Sequence, residues 1–375
     1  MGFSPEMFAA VRGDSQPEID VLIAAFQPSP AGHGDIPALQ AGRAPDPDRL
    51  FDIARLNKML GWLPISPARL PPSCASLAPR LLQVRMQTAR MNRHAMNVTA
   101  EAVAALAGAG LRHVVFKGPF QQLTVHDDPF RRPSGDIDLY VAPRDRKRAG
   151  VVLQGLGFAP LEQDQSLWWV SFLGEQHFKR ESDGAVIDLH HRLQQAGLPD
   201  WRGAEGVLDR ADCVTHDGVR IPVLSSVDGC LLMAVSLAKA LLAHEPCGWA
   251  AAELTHSLAR LDPAERARLA KVATRSGQDQ TLALGLALAR ACGEHPALET
   301  GDPASLPGLP SDPAILRDLV FQPWQREAEA PRRRQMLGML AKGRPHILAV
   351  EALRAAMSQQ VRALLARQAA KASAR

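Results

Sequence analysis

The sequence predicts an α+β fold in which a small mixed β-sheet lies between two helical regions. Apolar residues recur at helical spacing before residue 110 and after residue 225, and short β-branched segments fall between them. Glycine and proline mark the borders of these segments. These observations predict three parts: an N-terminal helical region (1–109), an α/β core (110–225) and a C-terminal helical region with a basic tail (226–375).

The composition excludes several classes of protein. Of the 375 residues, 46% are hydrophobic and 22% are charged, which excludes disordered and collagen-like chains. No stretch approaches ~18 uninterrupted apolar residues, so we expect no membrane span. The first residues lack the basic and apolar blocks of a secretory signal. The five cysteines form no C-x-x-C pair, so we expect a cytoplasmic location and no zinc site.

The N-terminal region is predicted to be helical in three parts. The apolar patch Val21–Phe26 predicts a short helix, and a loose segment follows over residues 28–47. Leucine and isoleucine recur at helical spacing over residues 48–63, where a proline ends the unit. A long helical stretch then runs from Leu77 to Ala109, and glycines mark its end.

The core is predicted to consist of short strands and two helices. Apolar and β-branched runs predict strands at His113–Lys117, Asp136–Val141, Trp168–Leu173, Gln176–Arg180 and Ala185–His190, and a hairpin over residues 213–224. Pro119 after Gly118 predicts the start of one helix. Arg144–Leu156 has the apolar spacing of a second helix.

The C-terminal region is predicted to be helical from Ser226, with a proline-rich linker at 300–312 and a further helix from Ile347. The segment 332–375 has ten Lys or Arg residues and one acid, Glu351. Two interpretations of this basic helix stay open. It is either a solvated amphipathic face packed on the domain or a contact for RNA or another anionic partner.

Two acids lie on one face of the second predicted strand. Asp136 and Asp138 alternate with Ile137 and Leu139, so both carboxylates point the same way, roughly 7 Å apart at Cα. Neighbouring carboxylates repel each other, and a cation between them removes that cost. Mg²⁺ binds carboxylate oxygens together with substrate phosphates, so this pair suits a metal–nucleotide complex, with Mn²⁺ as the alternative ion.

A third acid lies on another predicted strand. Asp188 stands between Ile187 and Leu189, so it should project from a sheet rather than from a loop. Strand pairing would bring it beside Asp136 and Asp138. Three carboxylates can hold two ions and leave one oxygen to accept a proton from an attacking hydroxyl.

Groups that can bind phosphate precede the acidic pair. Lys117 and Gly118 end a strand and open a helix, where exposed N–H groups and the lysine charge can hold phosphate oxygens. Arg131, Arg132 and Ser134 can do the same from the loop before the acids. The alternative is that these cations are only solvated strand-end and loop charges.

Five further residues have a functional and a structural interpretation. His190 either binds in the site, orients the neighbouring aspartate or satisfies core contacts. His177 and Lys179 share a strand face, which is either the site face or a solvated one. Trp168 and Trp169 either stack a base or belong to the core or an interface.

Three of these motifs together resemble those of the uncharacterised bacterial nucleotidyltransferase family of NTP-transferase type five, in the DNA polymerase β-like nucleotidyltransferase superfamily. The matching segments are Phe116-Lys117-Gly118, Arg132-Pro133-Ser134-Gly135-Asp136-Ile137-Asp138-Leu139 and Ile187-Asp188-Leu189-His190. The resemblance covers most of residues 48–260, and only the three motifs are specific. It implies Mg²⁺ at Asp136 and Asp138, with Asp188 as the third carboxylate. It also implies that a nucleoside monophosphate passes from an NTP, expected to be ATP, to a hydroxyl acceptor with release of pyrophosphate.

Two departures from the family pattern keep a second function open. Gly135 is inserted before Asp136, and Gly118-Pro119 stands where the superfamily has Gly-Ser, so phosphate binding depends on backbone groups and Lys117. The alternative function is a catalytically inactive nucleotide-binding or partner-binding module on the same fold. For an active enzyme, the expected acceptor is a protein or peptide, an RNA or a small molecule.

Overall fold

A seven-stranded mixed sheet forms the centre of the computed structural model, which describes residues 11, 13, 15–27, 43–161, 168–194, 197–293, 306 and 308–373. The strands are β1 (His113–Val115), β2 (Ile137–Val141), β3 (Ala159–Pro160), β4 (Glu175–Lys179), β5 (Val186–His190), β6 (Asp212–His216) and β7 (Val219–Val223). Their order in the sheet is β3-β4-β5-β2-β1-β7-β6. The β2–β5 and β1–β7 pairs are parallel, and the other pairs are antiparallel. The α+β class is therefore confirmed.

Helices flank the sheet and are numbered in the order of the chain. They are α1 (Gln16–Phe26), α2 (Pro47–Leu56), α3 (Ala78–Gly108), α4 (Gly118–His126), α5 (Arg146–Gly155), α6 (Ser226–Ala243), α7 (Gly248–Arg260), α8 (Pro263–Ser276), α9 (Asp279–Ala291), α10 (Pro313–Phe321), α11 (Arg333–Leu340) and α12 (Pro345–Ser373). The loose segment predicted at 28–47 and the linker predicted at 300–312 lie largely outside the described residues.

Several helix ends follow directly from the sequence. Asp262 accepts a hydrogen bond from the Glu265 backbone N–H, and the Glu265 side chain accepts one from the Asp262 N–H, so α8 begins with a capping box. Gly277 ends the same helix in the left-handed conformation, with a φ of +78°. Gly118 opens α4 with Pro119 as its second residue, as predicted.

One predicted strand is wrong. Trp168–Leu173 forms a π-helical turn instead of a strand. The aromatic run looks like a strand in sequence, but its indoles contact residues from elsewhere in the chain. Trp168 Nε1 donates a hydrogen bond to Ser358 Oγ on α12 at 2.8 Å, and the Trp169 ring packs edge-on against His177, 4.7 Å between centroids. The short strand β3, which has only two residues, is not predicted by the sequence pattern.

The two faces of the sheet have different roles. One face bears Leu139, Leu189 and Ile221, and packs against α3 and α5 in a single apolar cluster. The other face is covered by a larger cluster to which α6 and the N-terminal helices both contribute. Because strand residues alternate, Asp138 and Asp188 project on this second face. The division into three regions stays a prediction.

Helix α6 is the one helix among the described residues that is long and apolar enough to span a membrane. In this structure 61% of its residues are buried inside the protein. Its buried residues include Leu231, Leu232 and Met233. Such burial is typical of the central helix of a protein core.

Helix α12 carries one buried acid, which predicts a pH-dependent stability. Glu351 is 2% exposed and lies 3.2 Å from the guanidinium of Arg354. Desolvation raises the pKa of Glu351 from 4.5 to about 7, since it favours the neutral acid in the folded state.

We expect the wild type to lose about 1–2 kcal/mol of stability, relative to Glu351→Gln, as the pH rises from 4.5 to 7. The folded pKa is above the unfolded one, so this stabilisation is complete below pH 4.5 and is lost as the pH rises through 7. Urea unfolding of both proteins on either side of this range measures the difference. Equal pH profiles would contradict the assignment of this titration to Glu351.

Candidate functional site

The pairing of β2 and β5 brings two of the predicted acids together. Asp138 lies directly opposite Asp188 in the parallel register. His190, two residues further along β5, projects on the same face of the sheet. One ligand atom from each of Asp138, Asp188 and His190 lies within 4.8 Å of the others. We call these three residues the Asp–His cluster.

Asp136 is not one of the three residues of the Asp–His cluster. It occupies the bend before β2, where the residue as a whole is exposed but its carboxyl group is largely surrounded by protein. The pKa of Asp136 is raised, first by desolvation and then by repulsion from Asp138, while Lys117 and Lys58 act in the opposite direction. These interactions put Asp136 in the electrostatic field of the cluster. Its role as a metal ligand stays a prediction.

Asp138 is held as a carboxylate by two cationic or polar partners. His190 Nε2 is hydrogen-bonded to Asp138 Oδ1 at 2.9 Å, and Lys117 Nζ lies 3.5 Å from the same oxygen. Desolvation alone would raise the pKa of Asp138, but Lys117 and His190 outweigh it and hold the pKa well below its usual range. The cluster therefore contains one charged carboxylate at the centre.

Asp188 has the opposite character. Desolvation, followed by repulsion from Asp138 and Asp136, raises the pKa of Asp188 to about 9. Its Oδ1 is buried and has no hydrogen-bond partner among the described residues. A divalent cation would displace the proton and bind this oxygen together with the Asp138 carboxylate. The donor set of two carboxylates and an imidazole suits Mg²⁺ or Mn²⁺, and the imidazole adds affinity for Mn²⁺.

Two residues of β4 lie beside the Asp–His cluster. His177 Nε2 lies 3.6 Å from Asp188 Oδ2, which places this predicted residue on the site face. Glu175 lies 3.5 Å from His190 Nδ1 and 3.8 Å from His177 Nε2, so it can orient both imidazoles. Glu175 was not among the predicted site residues, although its alternation with His177 along β4 is a usable signal. Lys179 instead pairs with Glu181.

The Lys117–Gly118 turn approaches the loop that precedes the acids. Lys117 has an extended backbone, and Gly118 has a φ of +77° at the start of α4. A Cβ atom at Gly118 would lie 3.7 Å from Ser134 Oγ, so the two predicted phosphate-binding residues are neighbours. The Gly118 N–H at this helix start can bind an anion beside Lys117, whereas Pro119 has no N–H to offer.

We expect Gly118→Ala to lower the free energy of unfolding by about 1 kcal/mol, because an L side chain is strained at this positive φ. Space is not the cause, since the new Cβ would be in ordinary contact distance. If Gly118→Ala lowers the free energy of ATP binding by more than it lowers the free energy of unfolding, the turn binds phosphate. Calorimetry with ATP and urea unfolding measure the two quantities, and an unchanged stability would contradict the strain.

The loop before the acids is anchored by two buried amides. The Arg132 N–H donates to Gln122 Oε1 at 2.9 Å, and Asn92 Nδ2 donates to the Arg132 carbonyl at 2.8 Å. The Ser134 N–H donates to Asn92 Oδ1 at 2.9 Å. These bonds fix the backbone from which Asp136 and β2 begin.

Both predicted loop arginines are engaged in ion pairs. Arg131 Nε lies 3.4 Å from Asp128 Oδ2, and its side chain is buried. Arg132 Nε donates to Glu253 Oε1 at 2.7 Å, and its guanidinium lies over the Trp249 ring. Their primary contacts are therefore structural, and phosphate binding by either arginine stays a prediction.

Two lysines outside the predicted motifs reach the site. Lys239 on α6 lines a small cavity together with Lys117, Glu175 and His190, and its pKa is lowered by desolvation and by the Lys117 charge. Lys58, after α2, interacts electrostatically with Arg132 and Asp136. Lys239 has a sequence signal, since it is the one lysine of the apolar helix α6. Lys58 has none.

The comparisons with known proteins agree with this geometry. A family model described as an uncharacterised nucleotidyltransferase matches residues 43–293, which begin before α2 and end after α9. The matched range contains every residue of the Asp–His cluster and both lysines. No curated protein matches the chain.

Proposed function

Because this chain belongs to the uncharacterised nucleotidyltransferase family, as its motifs predicted, we propose that it transfers a nucleoside monophosphate from an NTP to a hydroxyl acceptor. The single observation that carries the proposal is the convergence of Asp138, Asp188 and His190 from two parallel strands. The proposed donor is ATP with Mg²⁺ or Mn²⁺, and the proposed location is the cytoplasm.

The proposed reaction is an in-line displacement at the α-phosphorus. The acceptor oxygen forms a bond to this phosphorus, the bond to the β-phosphate bridging oxygen breaks, and pyrophosphate leaves. Divalent ions held by Asp138, Asp188 and the predicted ligand Asp136 would supply positive charge at the reacting oxygens. Lys117 and Lys239 add charge for the triphosphate, and Asp188 is the carboxylate that can take the acceptor proton once it is ionised. Positioning and charge stabilisation provide the catalysis.

An open cleft further along β2 from the Asp–His cluster is the proposed acceptor site. It has a volume of about 730 Å³, and Tyr140, Arg146 and Trp201 line it. Tyr140 follows Asp138 by two residues on the same strand face, which relates the cleft to the cluster along β2. Arg192 in the cleft is paired with Asp200 at 2.6 Å. Because its charges are partly balanced, the cleft favours a peptide or a small molecule over a polyanionic RNA.

A transfer assay tests the proposal. The purified chain is incubated with Mg²⁺ or Mn²⁺ and each of the four NTPs labelled at the α-phosphate, and label transfer and pyrophosphate release are measured. We expect metal-dependent pyrophosphate release that a chelator abolishes. Mass spectrometry of labelled products from protein, RNA and small-molecule fractions then identifies the acceptor.

The alternative of an inactive nucleotide-binding module predicts a different pattern. Calorimetry would then show NTP binding with Mg²⁺, while no acceptor fraction would become labelled and no pyrophosphate would form. The observation that favours this alternative is the Gly118-Pro119 turn, which has no hydroxyl side chain at the phosphate position. Turnover with any acceptor would exclude it.

A further inference from the structure

A second cavity lies beside the start of α4, and Phe116 lines both it and the small cavity at Lys239. Its volume is about 200 Å³, and it is partly open to solvent. Its walls come from the ends of β1 and β7, from α4 and from the facing ends of α6 and α7. Val115, Phe116, Val125, Val223 and Leu224 make these walls largely apolar.

The cavity contains an amide that the protein leaves unsatisfied. Gln121 on α4 lines the cavity and is 7% exposed, and neither its Oε1 nor its Nε2 has a hydrogen-bond partner among the described residues. Among the other polar walls, Thr124 Oγ1 donates to the Gln121 carbonyl and Ser225 Oγ donates to Asp228. Ser257 Oγ, which is buried, also has no hydrogen-bond partner among the described residues. Leaving a buried amide without partners costs about 1–3 kcal/mol, so a ligand or a water that pairs with Gln121 is favoured in this cavity.

The buried part of the cavity favours a neutral ligand. Both charged residues that line the cavity, Asp212 and Arg260, are exposed, and Arg260 is paired with Asp127 at 2.7 Å. An ionic ligand buried among the apolar walls would lack a buried counter-charge from this lining. An engineered cavity of about 150 Å³ holds benzene, so a volume of about 200 Å³ suits one aromatic ring with small substituents.

We propose that this cavity binds a small neutral heteroaromatic compound with a hydrogen-bond donor and acceptor side by side, as in a lactam. The planar carboxamide of Gln121 offers the complementary donor and acceptor, and the apolar walls cover the ring. This binding site is separate from the proposed nucleotidyl transfer and does not depend on it.

Phe116 connects the two sites. Its ring lines the second cavity, and it also packs edge-on against His190, with 4.8 Å between ring centroids. The Lys117 ammonium lies 5.0 Å from the same ring centroid. A ligand in the cavity would thus lie against Phe116, which packs on His190 of the Asp–His cluster and on the neighbouring Lys117.

Calorimetry and ligand-observed NMR with two probes of similar size, 2-pyridone and toluene, test the proposal on the full chain. We expect 2-pyridone to bind and toluene to bind roughly tenfold more weakly, since only the lactam pairs with the amide. Gln121→Leu should remove this preference. Gly229→Leu should abolish binding of both probes, because a side chain at Gly229 points into open space within the cavity lining.

Two results would overturn the proposal. One is the absence of 2-pyridone binding at millimolar concentration to the wild type, which would mean that only water fills the cavity. The other is unchanged 2-pyridone binding in Gly229→Leu, whose fold is checked by circular dichroism. Asp138→Asn should keep the affinity for 2-pyridone, so failure of the proposed transfer reaction and failure of this site are distinguishable.

Discussion

Asp138→Asn is expected to lower the rate of nucleotidyl transfer by roughly 10³-fold or more without unfolding the protein. Asp138 is the one carboxylate of the Asp–His cluster whose pKa is lowered, so it contributes negative charge to a metal before any proton is displaced. The asparagine keeps the size of the side chain and can still accept a hydrogen bond from His190. The substitution removes the negative charge that would attract the metal. The same charge pairs with the Lys117 ammonium.

Pyrophosphate release with ATP and Mn²⁺ measures this loss, and calorimetry with Mn²⁺ alone measures metal affinity. We expect both to fall together. The matched control is Glu181→Gln. It removes a carboxylate that is 81% exposed and that pairs with Lys179 on the surface. If Asp138→Asn transferred nucleotide at the wild-type rate, the assignment of the site would be wrong.

Asp136 provides a second comparison with the same assay. The sequence predicts that it holds an ion with Asp138, and its replacement by asparagine should then abolish transfer as well. The structure leaves it exposed beside the cluster. Loss of transfer in both variants would support two metal positions, whereas a strong effect of Asp138→Asn alone would restrict the ligands to the Asp–His cluster.

The strands that carry the site could be predicted from local sequence. The segments around Asp138 and Asp188 alternate apolar and polar residues over about five positions, and each forms a strand where this pattern predicts one. The sequence predicted that pairing would bring Asp188 beside Asp138, whereas the parallel orientation and the register of these strands come from the structure. The family itself is confirmed by the match over residues 43–293.

Other features depend on contacts between distant parts of the chain. Trp168–Leu173 has the composition of a strand, but its first indole binds Ser358 on α12, 190 residues away. Lys58 reaches the site from the helical region before the sheet, and no local pattern distinguishes it from a surface lysine. Arg132 was predicted as a phosphate ligand because its sequence position suits that role, whereas its partner Glu253 lies 121 residues further along.

That buried pair of Arg132 and Glu253 leads to the largest expected change in stability. The Glu253 side chain is fully buried, and the Arg132 side chain is 8% exposed. Glu253 Oε2 and Arg132 Nη2 both lack hydrogen-bond partners among the described residues, so the two charges satisfy each other only in part. Taking both charges out of water therefore offsets much of their attraction.

We expect Glu253→Ala to lower the free energy of unfolding by about 3–5 kcal/mol, because it leaves the guanidinium buried without a counter-charge. The double variant Arg132→Met with Glu253→Leu should recover most of this loss, since it removes both charges and fills their space. Urea unfolding of the wild type, Glu253→Ala, Arg132→Met, Glu253→Leu and the double variant measures both the loss and the coupling. A double variant as unstable as Glu253→Ala would instead mean that the loss comes from packing around Trp249, where the arginine stacks, and not from the unpaired charge.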